Sequence, residues 1–221
     1  MNSRDRNGEA AAIGQAVSIL GTLLLGNPAD SDTAAIIEGM ASLDVTATWP
    51  FGSEQVVRQA DQLIKQGSAL TRKSQSEEYR RLFVGPGHLE APPWGSVYLD
   101  SDQVVFGNSE LALRDWLRSR GIQRKQPLGR VGKVARESAS TPCDHIGEML
   151  VLLGWVSERR NQDLDELLSD HLLPWADRYF ELLQSAARHP LYQGIALLGR
   201  TTLEGIASVR GISARSASLY F

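Results

Sequence analysis

The sequence predicts an all-α protein, a single-domain helical bundle with one loop region rich in proline and glycine. Three observations carry that prediction. Apolar residues recur at helical spacing along most of the chain, the periodic runs are bracketed by Ser, Thr or Asn before and by Gly or Pro after, and strand-like runs are confined to two short stretches near the middle, Val97-Tyr98-Leu99 and Val104-Val105-Phe106. A chain of 221 residues is long enough to bury its own core. The reading is one helical domain over residues 1–221, with residues 1–8 and 208–221 fraying at the ends.

From Glu9 to Leu25 the residues Ile13, Val17, Leu20 and Leu24 share one helical face, and Gly26-Asn27-Pro28 stops the run. Gly14, Gln15, Ser18, Gly21 and Thr22 interrupt its apolar stretch, which reads as a buried helix too short to cross a bilayer. Ser31 to Met40 is a short helix, and Ser53 caps a longer one that runs to Leu70 with Val56, Val57, Ala60, Leu63 and Ile64 inward. Ser76 to Val84 places Tyr79, Leu82 and Phe83 on one stripe. Gly85 to Gly107 is the least helical part, because Gly85-Pro86-Gly87 and Pro92-Pro93 deny it a continuous helix, and a small hairpin around Asp100-Ser101-Asp102 is an alternative to a structured loop. Asn108 or Ser109 caps a helix that ends at Arg120 before Gly121. Residues 123–140 hold Arg124, Lys125, Arg130, Lys133 and Arg136 against Glu137 alone and read as a mobile basic loop. Helices follow over Pro142–Arg159, Asp163–Leu172, Pro174–Ala187 and Pro190 to about Ala207, and Leu219-Tyr220-Phe221 is apolar enough to dock.

The net charge of −3 gives no bias toward nucleic acid or anionic membrane, and the single Cys143 excludes an internal disulfide framework. Cys143, Asp144 and His145 are consecutive, whereas a nucleophile and its base must converge from different places; a Cys/His hydrolase using Cys143, His145 and Glu148 is the enzyme alternative. As plain structure, Thr141 is an N-cap, Pro142 the first helical residue and Asp144 the acid of the first turn. His145 and Glu148 lack a third metal ligand, and Gly129 to Val134 misses the spacing of a phosphate loop. No metal, cofactor or nucleic-acid site follows from the sequence.

What remains is a dense set of aromatics, prolines and glycines from Tyr79 to Gly107. Rigid side chains of this kind suit a groove for a peptide, and they equally suit a core under a packed loop. Leu82-Phe83-Val84-Gly85-Pro86, then Ala91-Pro92-Pro93-Trp94-Gly95-Ser96-Val97-Tyr98-Leu99-Asp100, resembles the signature of the TorD/DmsD family of redox-enzyme maturation chaperones. The likeness continues through Trp49-Pro50, Val105 to Ser109, Leu111 to Trp116, Asp144-His145, His171 to Trp175 and His189 to Tyr192.

The resemblance implies the all-helical fold of that family and no catalysis. It implies a cytoplasmic chaperone, in transient association with the inner membrane, that binds the twin-arginine leader of a molybdopterin-containing dimethyl sulfoxide reductase-type subunit. The implied partners are that leader, the twin-arginine translocase and cofactor-insertion proteins, with the chaperone a monomer able to dimerise. A NarJ-like assembly factor for a nitrate reductase-type subunit is the alternative within the family. The family's leader-binding positions fall on Tyr79, Leu82, Phe83, Pro93, Trp94, Gly107, Asp144 and His145. Tyr79 stands where the DmsD branch has a tryptophan, and the basic loop is longer. In the division of labour this suggests, Leu82, Phe83, Pro93 and Trp94 line an apolar trough with the Tyr79 hydroxyl at its edge, Asp144 receives an arginine, His145 orients it or accepts a hydrogen bond, and Gly107 permits close backbone approach.

Overall fold

A computed structural model describes residues 3–123 and 142–221, with side chains described from residue 7 onward. The elements are α1 (Ser3–Leu25), α2 (Ser31–Ser42), α3 (Val45–Thr48), α4 (Glu54–Ser68), α5 (Arg72–Tyr79), α6 (Gly95–Leu99), α7 (Asn108–Ser119), α8 (Ile146–Arg159), α9 (Leu164–Glu166), α10 (Leu173–Ala186) and α11 (Pro190–Arg210). Wider π-type turns extend α5 through Arg80–Val84 and join α9 to α10 through Leu167–Leu172. Among the described residues there is no strand. The all-α prediction holds, and the hairpin alternative does not: Val97 to Leu99 lie in the helical turn α6.

The capping chemistry is the predicted kind, with a few unpredicted donors and acceptors. Ser53 accepts the Val56 N–H at the start of α4, as its sequence position suggests. α5 begins earlier than predicted because Thr71 accepts the Ser74 N–H there. Gly211, at φ +65°, turns α11 off in the left-handed conformation that glycine adopts without strain. Pro142 does not open a helix. Asp144 is held extended by backbone pairing with Gly95, so α8 starts at Ile146 with His145 as its cap. The predicted basic loop, and Thr141 as a cap, lie outside the described residues.

Two helix pairs approach closely because glycines stand at their contacts. A Cβ on Gly21 of α1 would meet the Gly147 carbonyl oxygen of α8 at 2.7 Å, and one on Gly154 would meet the Gly14 carbonyl oxygen at 3.1 Å. Gly67 of α4 and Gly194 of α11 do the same against Leu191 and Ala60. α1 carries a stretch, Asn7–Leu25, that by length and composition would reach across a membrane, which is longer than the sequence reading allowed. Its face of Ile13, Val17, Leu20 and Leu24 is buried in the core, as the periodicity predicts.

The core runs on through Leu150, Leu153, Trp175, Tyr179, Phe180, Tyr192 and Ile195. Both chain ends are tied to this framework. Of the residues set down as a frayed start, Ser3 to Gly8 belong to the first turns of α1, and α11 continues to Arg210, whose guanidinium binds Glu9 at 2.7 Å, Asp165 at 2.5 Å and Asn161 at 3.3 Å. Residues 212–221, also expected to fray, leave the helix but are held: Ile212 and Phe221 pack on the core, and the Arg215 and Tyr220 N–H groups donate to Ser169 and Tyr98 carbonyls.

Candidate functional site

The site is built where two distant stretches of chain meet as extended backbone. The Gly95 N–H donates to the Asp144 carbonyl at 3.1 Å and the Ile146 N–H to the Pro93 carbonyl at 2.7 Å, which pairs Trp94 with His145 as an antiparallel bridge. Pro93 suits this because it offers only a carbonyl to the pairing. The Trp94 and His145 rings meet edge-on with centroids 5.9 Å apart, and both remain half-buried. Four of the eight predicted site residues, Pro93, Trp94, Asp144 and His145, are therefore one structural unit.

Asp144 is buried, 4% exposed. Its Oδ2 accepts the Ser96 N–H at 2.7 Å, while Oδ1 has no hydrogen-bond partner among the described residues. Burial raises the carboxyl above the ordinary aspartate range, hydrogen bonding from Ser96 opposes this, and the nearby Glu110 charge adds to the rise. An ionised carboxylate with an unpartnered oxygen in such surroundings favours a cation that reaches it.

His145 accepts the Gly147 N–H at Nδ1, 3.1 Å away, and so caps α8. Burial lowers its pKa from 6.5 to about 4, so the ring is neutral at neutral pH and its proton sits on Nε2. The sequence reading had His145 orient the arginine or accept a hydrogen bond. The cap takes that acceptor, and the ring offers a visitor a donor instead.

The other predicted residues are placed differently. Leu82 and Phe83 are core residues, 2% and 7% exposed, so they do not line an open trough. Phe83 packs between Tyr79 and Tyr192, with centroids at 5.2 and 5.7 Å. The Tyr79 hydroxyl donates to the Leu25 carbonyl at 2.6 Å and closes the end of α1. Leu25 links the two groups of residues, since its side chain also lies over Gly147 in the first turn of α8. Gly107 does permit a close approach, but of Asp100: a Cβ there would meet Asp100 Oδ2 at 2.1 Å. Asp100 thereby reaches past Gly107 to accept the Ser109 N–H and hydroxyl, supplying the cap of α7 from eight residues upstream of its first residue. That pinned loop also holds Phe106 at φ +70°, an unusual conformation for an aromatic residue.

Glu110 was not anticipated. It is fully buried in α7, accepts the Cys143 N–H at Oε1, 3.0 Å away, and is paired with Arg114. Burial alone would raise its carboxyl, but hydrogen bonds from Arg114 and Cys143 outweigh this and hold it below the ordinary range. The buried Cys143 thiol lies 3.2 Å from the same oxygen. A signal for Glu110 was present in the sequence: it shares a face with Leu113 and Leu117 at i, i+3, i+7, with Arg114 four residues on.

Asp144 and Gly95 also form one wall of a cavity of about 710 Å³ between α7 and the start of α10. Its ionisable lining includes the carboxylates Asp115, Asp144, Glu166 and Asp170, with Arg215 the only Lys or Arg among the described residues. Trp94 and His145 sit outside it. Asp144 is thus the junction between an aromatic surface patch and an acidic cavity.

The architecture is all-helical, with an aromatic pair, a buried carboxylate oxygen that has no partner among the described residues, and an acidic cavity side by side. The family described as nitrate reductase delta subunit matches residues 49–181. The chain is 36% identical over 186 residues to the Tat proofreading chaperone DmsD of Salmonella typhimurium, covering 84% of each chain. It is 24% identical over 192 residues to the chaperone protein YcdY of Escherichia coli, covering 85% of this chain and 90% of that one. A crystal structure from Archaeoglobus fulgidus described as a redox enzyme maturation protein aligns over 92% of this chain and 96% of that one, at 18% identity and a TM-score of 0.49. The chain belongs to the nitrate reductase delta subunit family, which includes the TorD/DmsD redox-enzyme maturation chaperones.

Proposed function

We propose that this protein is a chaperone for a Tat-dependent redox enzyme, acting by binding and catalysing no reaction. Its ligand in this reading is the twin-arginine leader of a molybdopterin-containing, dimethyl sulfoxide reductase-type subunit, held in the cytoplasm until the cofactor is inserted. The relatives named Tat proofreading chaperones support the class. The observation that carries the ligand is Asp144: a buried carboxylate with one oxygen unpartnered among the described residues, near the half-buried Trp94 and in the wall of an acidic cavity. Arginine fits such a site because its charge is permanent and its planar donors match a carboxylate.

The test is calorimetry with a synthetic twin-arginine leader beside a twin-lysine control. Micromolar or tighter binding that prefers arginine, weakened in Asp144→Asn with folding intact, is the expected result. Equal binding of both peptides, or affinity unchanged in Asp144→Asn, would remove Asp144 as the arginine receptor. Binding to the mature reductase subunit but to no leader would instead favour a NarJ-like assembly factor.

A further inference from the structure

The segment after α11 forms one wall of the cavity that Asp144 also lines. Arg215, Ser216, Ala217, Ser218 and Tyr220 all line it. The segment is non-helical and touches down at two separated places. At one, the Arg215 N–H donates to the Ser169 carbonyl at 2.8 Å and its guanidinium lies 3.8 Å from Asp170. At the other, the Tyr220 N–H donates to the Tyr98 carbonyl at 2.9 Å, Gln103 donates to the Tyr220 carbonyl, Arg178 Nε donates to the Phe221 carbonyl at 3.3 Å, and the Phe221 ring packs edge-on against Tyr98 with centroids 5.5 Å apart. Between the two places Ser216 to Leu219 are exposed and donate no backbone hydrogen bond among the described residues.

The order of chemistry along this segment is a cation, a run of small residues, then Leu219-Tyr220-Phe221. A twin-arginine leader has the same order: arginines first, an apolar stretch after. The charges around the cavity suit that order. Asp115 is paired with Arg118, and Glu166 with Arg120, which also lies over the Trp116 ring at 4.4 Å. Asp144 Oδ1 has no hydrogen-bond partner among the described residues, and the cation offered to Asp170 is the loosely placed Arg215. The apolar end has a ready seat, since Tyr98 stacks on Trp175 at 5.5 Å and presents an aromatic surface to Phe221.

We propose that residues 213–221 are an intramolecular stand-in for the leader. They wall the cavity beside Asp144, with Arg215 at an Asp170 cation subsite and Phe221 on the Tyr98 aromatic seat, and they are displaced when a leader binds. This rests on the leader-binding reading above. A ligand that must displace a seated segment binds more weakly by the fraction of time the segment is away. Two anchor points and few hydrogen bonds make the segment easy to lift, so the arrangement acts as a filter: weakly matching peptides fail to displace it.

The experiment uses the full chain and its Arg215→Ala/Phe221→Ala double variant, with the same synthetic leader. Hydrogen exchange at the Arg215 and Tyr220 amides should show protection in the free wild-type protein and lose it at saturating leader. Calorimetry should show the double variant binding the leader about tenfold more tightly, the gain for a segment seated about nine-tenths of the time. Asp170→Asn should weaken leader binding, because the leader inherits that subsite. Amides that stay protected at saturating leader, with unchanged affinity in the double variant, would overturn this proposal and leave leader binding standing. Absence of leader binding in both proteins would overturn the reading it rests on, and this proposal with it. Should the double variant melt early, the wild-type exchange data decide alone.

Discussion

Trp94 and His145 lie against each other, yet substitutions at the two should do different things. Trp94 is a half-buried ring on the surface patch. Trp94→Ala should cost on the order of 2 kcal/mol of leader affinity, about thirtyfold, with a small change in melting temperature. His145 should speak through stability. Burial depresses its pKa from 6.5 to about 4, and His171 and His189 are lowered for the same first reason. A depressed histidine favours the fold while neutral, so that stability is present above pH 6.5 and drains away as the pH falls toward 4. Thermal melts from pH 8 to pH 4 should be flat at first and then fall. His145→Asn, which keeps a capping oxygen, should soften that fall. Asp144 works in the opposite sense. Its folded pKa is raised, so its contribution is present at low pH and lost as the pH rises through the folded value. Asp144→Asn should therefore melt no earlier than the wild type at neutral pH, although it loses the leader. The sequence placed Asp144 as a first-turn acid favouring the α8 dipole, which would predict a lower melting temperature.

At the scale of elements, the contact of α1 with α8 sets where the site stands, because α8 begins at Ile146, capped by His145, and its first turn rests on α1. A Cβ at Gly147 would meet Leu25 Cγ at 2.6 Å and the Gly21 carbonyl at 2.9 Å. Gly147→Ala should cost about 2 kcal/mol, a fall of roughly 4–8 °C in Tm, and should weaken leader binding by moving the cap. Gly39 in α2 is the control, with nothing within 4 Å of an added Cβ. Gly39→Ala should stabilise by about 0.5–1 kcal/mol. Helical periodicity made these elements legible, since the buried faces of α1 and α4 are the ones that i, i+3, i+4 spacing selects. The start of α8 was not legible. Thr141-Pro142 is a good local helix signal, but long-range pairing with Pro93 and Gly95 outcompetes it. Tyr79, Leu82 and Phe83 were legible as a stripe, yet spacing cannot say whether a stripe faces a groove or a core.

Across the whole molecule, Arg210 ties the beginning, middle and end of the chain through Glu9, Asp165 and Asn161. Burial opposes its charge, but hydrogen bonding and the nearby Asp165 and Glu9 charges outweigh this and raise its pKa further. Arg210→Ala leaves Glu9 half-enclosed without its partner and should cost about 2 kcal/mol, read as a lower denaturant midpoint with the slope unchanged. Arg210→Lys should recover only part, because one ammonium cannot serve three acceptors in different directions. None of this could be read from the sequence, where Arg210 stands in a stretch that looks like a fraying end. Ion pairs between residues 201 positions apart leave no local pattern.

α7 has one more consequence, for anyone who wishes to build on this protein. It anchors the chain on both sides of residues 124–141: Ile122 donates to the Leu117 carbonyl, and Cys143 is held by Glu110. Glu110 and Leu117 are two turns apart on one helix, about 10 Å along its axis. The span between is a port. Inserting a reporter domain between these two anchors leaves both anchors in place, and the closure cost of a longer connection grows only logarithmically with its length. Such chains should melt within about 2 °C of the parent, since a doubling of loop length adds only about 0.6 kcal/mol. A fluorescent insert at this port would stand one short step from Asp144 and would register the arrival of a leader as it happens.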